Sequence, residues 1–257
     1  MHLSTSLLKR NISISDMLAP KQRIIIACMP KSASSFLQNV IAEISGYSTI
    51  PICGEQGRNE QDINLSELAN NAFKNIVNHL HVRGSNNNIK LMNFAKIRPT
   101  VLVRNIFDVT VSMRDHIAKN SLIWPMTYYD TSFYELDKSD QYDMVIDLSI
   151  PWFVSFYVSW YKAMERNEIP TYWLSYEDIM NDKGGAIEAL CRYYKIETCS
   201  RNIEAAITTI EGDRRLSNFN VGKKGRGSRE LSEGQKQRIL KLFRYYPEID
   251  FSRIGVE

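Results

Sequence analysis

Short runs of apolar, often β-branched residues alternate along this chain with longer segments whose apolar residues recur at helical spacing. Residues 23–28 (RIIIAC) are the first such run and predict a buried strand. After a loop over residues 29–34, apolar residues recur three and four positions apart, as on one face of a helix. They are Phe36, Leu37, Val40, Ile41 and Ile44. The chain therefore opens with a strand, a loop and a helix.

The same alternation continues to the end of the chain. Further strands are predicted over residues 76–82, 100–103 and 171–175. Helices are predicted over residues 65–73, 86–96, 108–118 and 151–166, around residues 187–194, and from a capping box formed by Ser232 and Gln235 to a point before Pro247. Strands that alternate with helices predict an α/β fold with a central, mainly parallel sheet flanked by helices.

Residues 120–150 interrupt this pattern, because they combine many aromatic and polar residues with little periodicity. We interpret them as a long loop or lid on the substrate side, since loops of this length in compact domains are usually functional or disordered. No composition change marks a linker. Residues 1–257 are therefore expected to form a single domain.

Composition narrows the class of protein without identifying it. The 257 residues are 44% hydrophobic and 24% charged, and 32 basic residues against 29 acidic ones give a net charge of +3. These values are ordinary for a globular protein and too mild to indicate a nucleic-acid partner. No apolar stretch is long enough for a transmembrane helix, residues 1–20 lack a secretory hydrophobic region, and the four cysteines form no CxxC pair. A cytoplasmic protein is expected.

Two loops at predicted strand ends carry candidate chemistry. The first follows the first strand and holds Lys31 with several serines, immediately before a helix N-terminus. Free backbone N–H groups and the helix dipole favour a phosphate there, although the GxxxxGK[ST] pattern of a P-loop is absent. The second follows residues 100–103, where Arg104 precedes Ser112 by eight residues. An arginine guanidinium and a serine hydroxyl at that spacing can donate hydrogen bonds to the same anion.

Together the two loops resemble the signature regions of the sulfotransferases that use 3'-phosphoadenosine 5'-phosphosulfate (PAPS). Residues 30–36 (PKSASSF) resemble the family's PKSGTTW loop, and Arg104 with Ser112 resembles the pair that binds the 3'-phosphate. The resemblance implies a P-loop-like sulfotransferase architecture, PAPS as co-substrate and no metal. It also implies that the 5'-phosphosulfate is bound by the first loop. The loop residues concerned are Lys31, Ser32, Ala33, Ser34, Ser35 and Phe36.

Two later segments extend the resemblance to most of the chain, from about residue 22 to 245. Residues 174–178 (LSYED) are similar to the family's Tyr-Glu-Asp segment, which implies that Tyr176 borders the adenine. The glycine-rich residues 220–227 are similar to its late Arg-Lys-Gly loop, which implies that Gly222, Lys223 and Arg226 contact the 3'-phosphate. Lys224 is a further candidate there.

Four substitutions separate this chain from the family pattern. Ala33 stands in place of a glycine, and an alanine tolerates a positive φ poorly. Phe36 stands in place of a tryptophan. Asn220 and Val221 stand where Arg and Lys are usual, so Lys223, Lys224 or Arg226 must supply the missing charge.

Histidines on the predicted strand 76–82 are candidates for the general base. His79 and His81 share a face, because strand side chains alternate. The resemblance implies that His81 is the base, with His79 in the place of a lysine, while His2 and His116 have no such support. An unperturbed pKa of about 6.5 suits this role. Lys31 would stabilise the charge of the leaving phosphate.

The implied reaction transfers the sulfuryl group of PAPS to a hydroxyl or amine of an acceptor. The sequence leaves that acceptor open between carbohydrates, lipids and small molecules, and it leaves the oligomeric state open. A P-loop-like nucleotide kinase and a non-catalytic nucleotide-binding module are the alternatives. Residues 220–227 lack the interleaved aromatic residues of a nucleic-acid site.

Overall fold

Four parallel strands form the central sheet of this computed structural model, which describes residues 21–54, 60–119, 123–124, 126–217 and 224–257. The described strands are β1 (Arg23–Cys28), β2 (Ile76–Leu80), β3 (Thr100–Val103), β4 (Ile123–Trp124), β5 (Thr127–Tyr128) and β6 (Tyr172–Ser175). The sheet has the order β2-β1-β3-β6, and β4 pairs with β5 in a separate antiparallel hairpin. The predicted parallel α/β fold is confirmed.

Helices cover both faces of this sheet. They are α1 (Ser34–Ser45), α2 (Leu65–Asn70), α3 (Asn86–Phe94), α4 (Ile106–Lys119), α5 (Lys138–Leu148), α6 (Ile150–Glu165), α7 (Tyr176–Asn181), α8 (Lys183–Tyr194), α9 (Ser200–Gly212), α10 (Arg214–Ser217), α11 (Arg226–Glu230) and α12 (Glu233–Phe243). Single 3-10 turns occur at Thr131–Tyr134 and Ser252–Ile254. No helix in these described ranges is long and apolar enough to cross a membrane.

The alternation of side chains along β1 divides the core into two layers. Ile25 and Ala27 pack with the apolar faces of α4 and α6, whereas Ile24 and Ile26 pack with α1, α8 and α9. All four side chains are buried. A central strand with both faces covered must be apolar at successive positions, which explains the unbroken run RIIIAC.

Several helix boundaries follow from local capping chemistry. The capping box of Ser232 and Gln235 is present at the start of α12, and Ser175 with Asp178 forms a second one at α7. Pro151 occupies the first turn of α6, as predicted. These signals are local, so the sequence could place them.

Two predictions of local structure before residue 151 need correction. The second strand ends at Leu80 rather than at residue 82, so His81 lies just beyond it. Residues 120–150 are not one long loop, because their described part contains the β4–β5 hairpin, a 3-10 turn and the eleven-residue helix α5. The aromatic residues Tyr129, Phe133 and Tyr142 explain the difference, since they are buried in the core and hold this segment against it.

The late glycine-rich segment is only partly described. Residues 218–223 lie outside the described residues, and Arg226 and Gly227 belong to the short helix α11 instead of a loop. A β-carbon on Gly227 would come within 2.4 Å of the Phe107 backbone. Glycine at this position therefore lets α11 pack directly against α4.

Candidate functional site

The carboxyl ends of the four parallel strands bring most of the predicted site residues to one edge of the sheet. Lys31 follows β1, His81 follows β2, Arg104 follows β3 and Tyr176 follows β6. This edge is where open α/β sheets bind their ligands. The sequence pattern and the topology therefore point to the same place.

The loop after β1 has an unusual backbone. Lys31 and Ala33 adopt positive φ angles of 63° and 68°, a conformation that glycine tolerates far better than other residues. The buried Ser32 hydroxyl donates a hydrogen bond of 2.5 Å to the Met29 carbonyl, which fixes the turn. Ala33 thus adopts a glycine-like backbone in spite of its methyl group, and α1 begins directly after it.

The start of α1 supplies the anion-binding features expected of the loop. The first N–H groups of a helix have no intrahelical partner and lie at the positive end of its dipole, and at α1 Ser34 and Ser35 contribute such groups. The Phe36 ring is fully buried in the core. A role for Phe36 in nucleotide binding therefore stays a prediction.

Arg104 is a buried cation with an unsatisfied donor. Its Nη1 donates 2.6 Å to the Lys31 carbonyl, and its guanidinium lies 3.9 Å from the centre of the Tyr176 ring. Its buried Nε has no hydrogen-bond partner among the described residues. Burial, opposed by the nearby Tyr176, lowers the pKa of Arg104. A buried donor left unpaired costs stability unless a ligand satisfies it, so this group is suited to an anion.

His81 is oriented by the backbone of β1. Its Nδ1 lies 2.9 Å from the Cys28 carbonyl, which can only accept, so Nδ1 carries the proton and Nε2 is the basic nitrogen. Nε2 lies 3.6 Å from a carboxylate oxygen of Glu60. Burial lowers the pKa of His81, while Glu60 and the Cys28 carbonyl oppose that change. The ring is therefore neutral near pH 7.

His79 has a different environment from His81. Its Nδ1 and its backbone N–H both lie within hydrogen-bond distance of the Gln38 side-chain oxygen, at 2.9 and 2.8 Å. Burial and the nearby His81 lower the pKa of His79 to about 4. The two rings are 6.4 Å apart. Gln38 on α1 therefore ties β2 to the neighbouring helix through His79.

Lys31 contacts His116, a histidine for which the sequence predicts no role. Its ammonium nitrogen lies 3.5 Å from Nδ1 of His116, which is on α4. Burial, reinforced by the charge of Arg104 and opposed by Asp115, lowers the pKa of Lys31. Burial and the Lys31 charge lower the pKa of His116 to about 4. Lys31, His81 and His116 thus form one electrostatic cluster.

Carboxylates of α4 hold the late segment of the chain against the site. The buried Asp108 accepts hydrogen bonds of 2.7 Å from the backbone N–H groups of Gly225 and Gly227. Asp115 accepts one of 2.7 Å from Arg226, whose Nε also donates 2.8 Å to Glu230. The Gly225 and Gly227 amides, and the Nε and Nη2 atoms of Arg226, therefore already donate hydrogen bonds to carboxylates. Any phosphate contact of Arg226 must compete with two carboxylates and stays a prediction.

Of the remaining predicted site residues, the structure describes Ser112 and Lys224 but not those before residue 224 in the late glycine-rich segment. Ser112 is buried on α4, one turn before His116 on the same face. Gly222 and Lys223 lie outside the described residues, as do Asn220 and Val221. The Lys224 ammonium contacts the side chain of Asn181.

Sequence reasoning missed several polar residues that build this site. Their side chains contact the predicted residues from other parts of the chain. They are Gln38, Glu60, Asp108, Asp115 and His116. Asp108, Asp115 and His116 had a usable signal, because they lie three or four residues from Ser112 and therefore on the same side of one helix. Gln38 and Glu60 lie far from their partners in sequence.

No metal-binding group stands out at this edge. Among the described residues, no three side chains of His, Cys, Asp or Glu converge as metal ligands would. The expected independence from metals stays a prediction.

Comparison with known proteins identifies the fold. No protein-family profile and no curated protein sequence matches the chain. Solved structures do match it: mouse sulfotransferase SULT7A1 complexed with PAP (TM-score 0.63, 15% identity, 91% of this chain and 88% of that one), and retinol dehydratase in complex with androsterone and the inactive cofactor PAP (TM-score 0.57, 14% identity, 92% and 85%). A sulfotransferase domain from the curacin biosynthetic pathway also matches (TM-score 0.50, 12% identity, 88% and 97%). The chain has the sulfotransferase fold, as its loops predicted.

Proposed function

We propose that this protein is a sulfotransferase that moves the sulfuryl group of PAPS to an acceptor. The observation that carries the proposal is the buried guanidinium of Arg104, whose Nε has no partner in the described part of the chain and whose Nη1 lies against the backbone of the Lys31 loop. This arrangement suits a nucleotide with one phosphate on the loop and a second phosphate on the arginine. Two of the similar solved structures carry PAP, which supports the same nucleotide.

The residues present fit such a nucleotide. The N–H groups of Ser34 and Ser35 lie at the N-terminus of α1, where a 5'-phosphate would bind, and Ala33 precedes them with a φ of 68°. Arg104 faces the 3'-phosphate, with Ser112 as a hydroxyl donor. Tyr176 lies against the arginine and would border the adenine.

His81 is the general base in this proposal. Because Nδ1 donates to the Cys28 carbonyl, Nε2 is the atom that accepts a proton. The lowered pKa keeps Nε2 unprotonated near pH 7. The acceptor hydroxyl or amine gives its proton to Nε2 as its oxygen or nitrogen bonds to sulfur.

Lys31 stabilises the charge that develops on the other side of the transferred group. PAPS supplies the sulfuryl group, and the bond from sulfur to the 5'-phosphate oxygen breaks as the new bond forms. Its electron pair remains on that oxygen, beside the Lys31 ammonium, and adenosine 3',5'-bisphosphate leaves. Protein groups in such transfers act by positioning and charge stabilisation.

The acceptor pocket is proposed at the Nε2 side of His81. Glu60 lies there, and the Trp152 ring packs edge-on against His81 with centroids 6.4 Å apart. Gln61 accepts a hydrogen bond of 2.7 Å from the Trp152 indole. An aromatic wall beside a carboxylate suits a hydroxyl or amine on an apolar skeleton. The proposal includes a single domain in the cytoplasm, with the 120–150 segment beside the acceptor.

Transfer of label from ³⁵S-PAPS to a panel of carbohydrate, lipid and phenolic acceptors tests the proposal. We expect wild type to label at least one acceptor and to release an equal amount of adenosine 3',5'-bisphosphate. His81→Ala should lower turnover by about 10²–10⁴-fold with nucleotide affinity near wild type, and His79→Ala should do less. Full activity in His81→Ala would remove it as the base.

A thermal-shift comparison separates the proposal from a nucleotide kinase. Stabilisation by adenosine 3',5'-bisphosphate in the absence of Mg²⁺ is expected. Stabilisation by Mg-ATP alone would favour the kinase. Nucleotide binding without label transfer to any acceptor would favour a non-catalytic module.

A further inference from the structure

We infer that His116 is a positioning residue for Lys31: its Nδ1 accepts a hydrogen bond from the lysine ammonium and so holds that charge in place beside α4. The contact distance is 3.5 Å. The catalytic meaning of this inference rests on the proposed function, whereas the contact itself does not.

The placement of His116 follows from the polar face of α4. Asp108, Ser112, Asp115 and His116 recur at three- and four-residue spacing, so they share one side of the helix. Asp108 and Asp115 hold α11 through Gly225 and Arg226. His116 is the last residue of this row and reaches the Lys31 loop. The same face of α4 therefore fixes both halves of the proposed nucleotide site.

The tautomers of the two site histidines are opposite. An ammonium group has donors only, so His116 must accept at Nδ1 and carry its proton on Nε2. His81 instead donates at Nδ1 and is basic at Nε2. Two chemically identical side chains thus have different roles: His81 can take a proton, and His116 can hold a cation.

The charges around Lys31 explain why a hydrogen-bond acceptor at His116 should affect the Lys31 pKa. Burial and the charge of Arg104 disfavour the Lys31 ammonium, whereas the Asp115 carboxylate favours it. His116 contributes a directed lone pair while remaining neutral, because burial and Lys31 lower its pKa to about 4. A hydrogen bond to the charged form favours that form. Removing it should make Lys31 easier to deprotonate.

Competitive labelling of Lys31 with an amine-reactive reagent across pH, read by peptide mass spectrometry, tests the inference without any turnover. His116→Leu should lower the Lys31 pKa by about one pH unit. His116→Asn keeps an acceptor and should leave it near wild type. His116→Asp places a carboxylate beside the ammonium and should raise it. An unchanged Lys31 pKa in both His116→Leu and His116→Asp would overturn the inference.

Kinetics supply the second readout. His116→Leu should lower kcat about tenfold with little change in KM for PAPS. The alkaline limb of its pH–rate profile should move to lower pH. In His116→Asn, kcat and the alkaline limb should both stay near wild type. Melting temperatures identify a variant that fails to fold. If His116→Leu does not fold, the rise in the Lys31 pKa expected for His116→Asp is the result that tests the inference. Absence of sulfuryl transfer in wild type would refute the proposed function and leave the labelling result intact. Equal losses in the Leu and Asn variants would refute a positioning role.

Discussion

Replacement of Arg104 by alanine should separate two nucleotides that differ only at the 3' position. The guanidinium is buried, its Nη1 holds the Lys31 carbonyl at 2.6 Å, and its Nε has no partner among the described residues. A hydrogen bond to a charged group contributes about 1.5–3 kcal/mol, which corresponds to a loss of roughly 10–150-fold in affinity. We therefore expect Arg104→Ala to weaken the binding of adenosine 3',5'-bisphosphate by that factor.

Adenosine 5'-phosphate is the internal control for this measurement. Loss of the contact with the Lys31 carbonyl disturbs the loop for both nucleotides, so the ratio of the two affinities is the informative quantity. Calorimetric titration should show that the affinity for adenosine 3',5'-bisphosphate, divided by the affinity for adenosine 5'-phosphate, falls at least about tenfold in Arg104→Ala. Arg201→Ala, which alters an exposed arginine on α9, should leave it unchanged. Equal losses for both nucleotides in a folded Arg104→Ala would refute the assignment to the 3'-phosphate.

Three further predictions concern the loops and the histidines. Arg226→Ala should raise KM for PAPS several-fold and also lower the melting temperature, because it removes ion pairs with Asp115 and Glu230; unchanged PAPS kinetics would exclude Arg226 from the 3'-phosphate. Ala33→Gly should raise stability by about 0.5–1 kcal/mol, since it relieves a φ of 68°, and a lower melting temperature would contradict this. His79 has a pKa of about 4 in the folded protein against 6.5 ordinarily, so the unfolded chain binds more protons and the unfolding free energy should fall as pH falls from about 6.5 to 4. Denaturant titrations of His79→Gln should show a shallower fall, and an equally steep one would contradict the assignment.

The sequence was most informative where chemistry is local. The RIIIAC run, the Ser232–Gln235 capping box and Pro151 each act within a few residues, and each of these elements lies where the pattern predicts. The order of strands and loops then brings Lys31, His81, Arg104 and Tyr176 to one sheet edge. That convergence follows from parallel topology.

The partners of those residues could not be read from local pattern. His81 lies against Glu60, and Asp108 binds amides more than a hundred residues away. Such contacts depend on the packing of whole elements, which no spacing rule encodes. The error over residues 120–150 has the same cause. Tyr142 and Phe133 appear irregular in sequence but are buried against other elements, so regular structure forms where periodicity is weak.

The binding mode of the nucleotide should be measured in a crystal structure of the protein with bound adenosine 3',5'-bisphosphate. We expect the 5'-phosphate on the N–H groups that open α1, near the Lys31 ammonium, and the 3'-phosphate within hydrogen-bond distance of the Arg104 guanidinium. His81 Nε2 should face the open side of the 5'-phosphate. A nucleotide bound with its two phosphates exchanged, or bound away from both Lys31 and Arg104, would refute the proposed site.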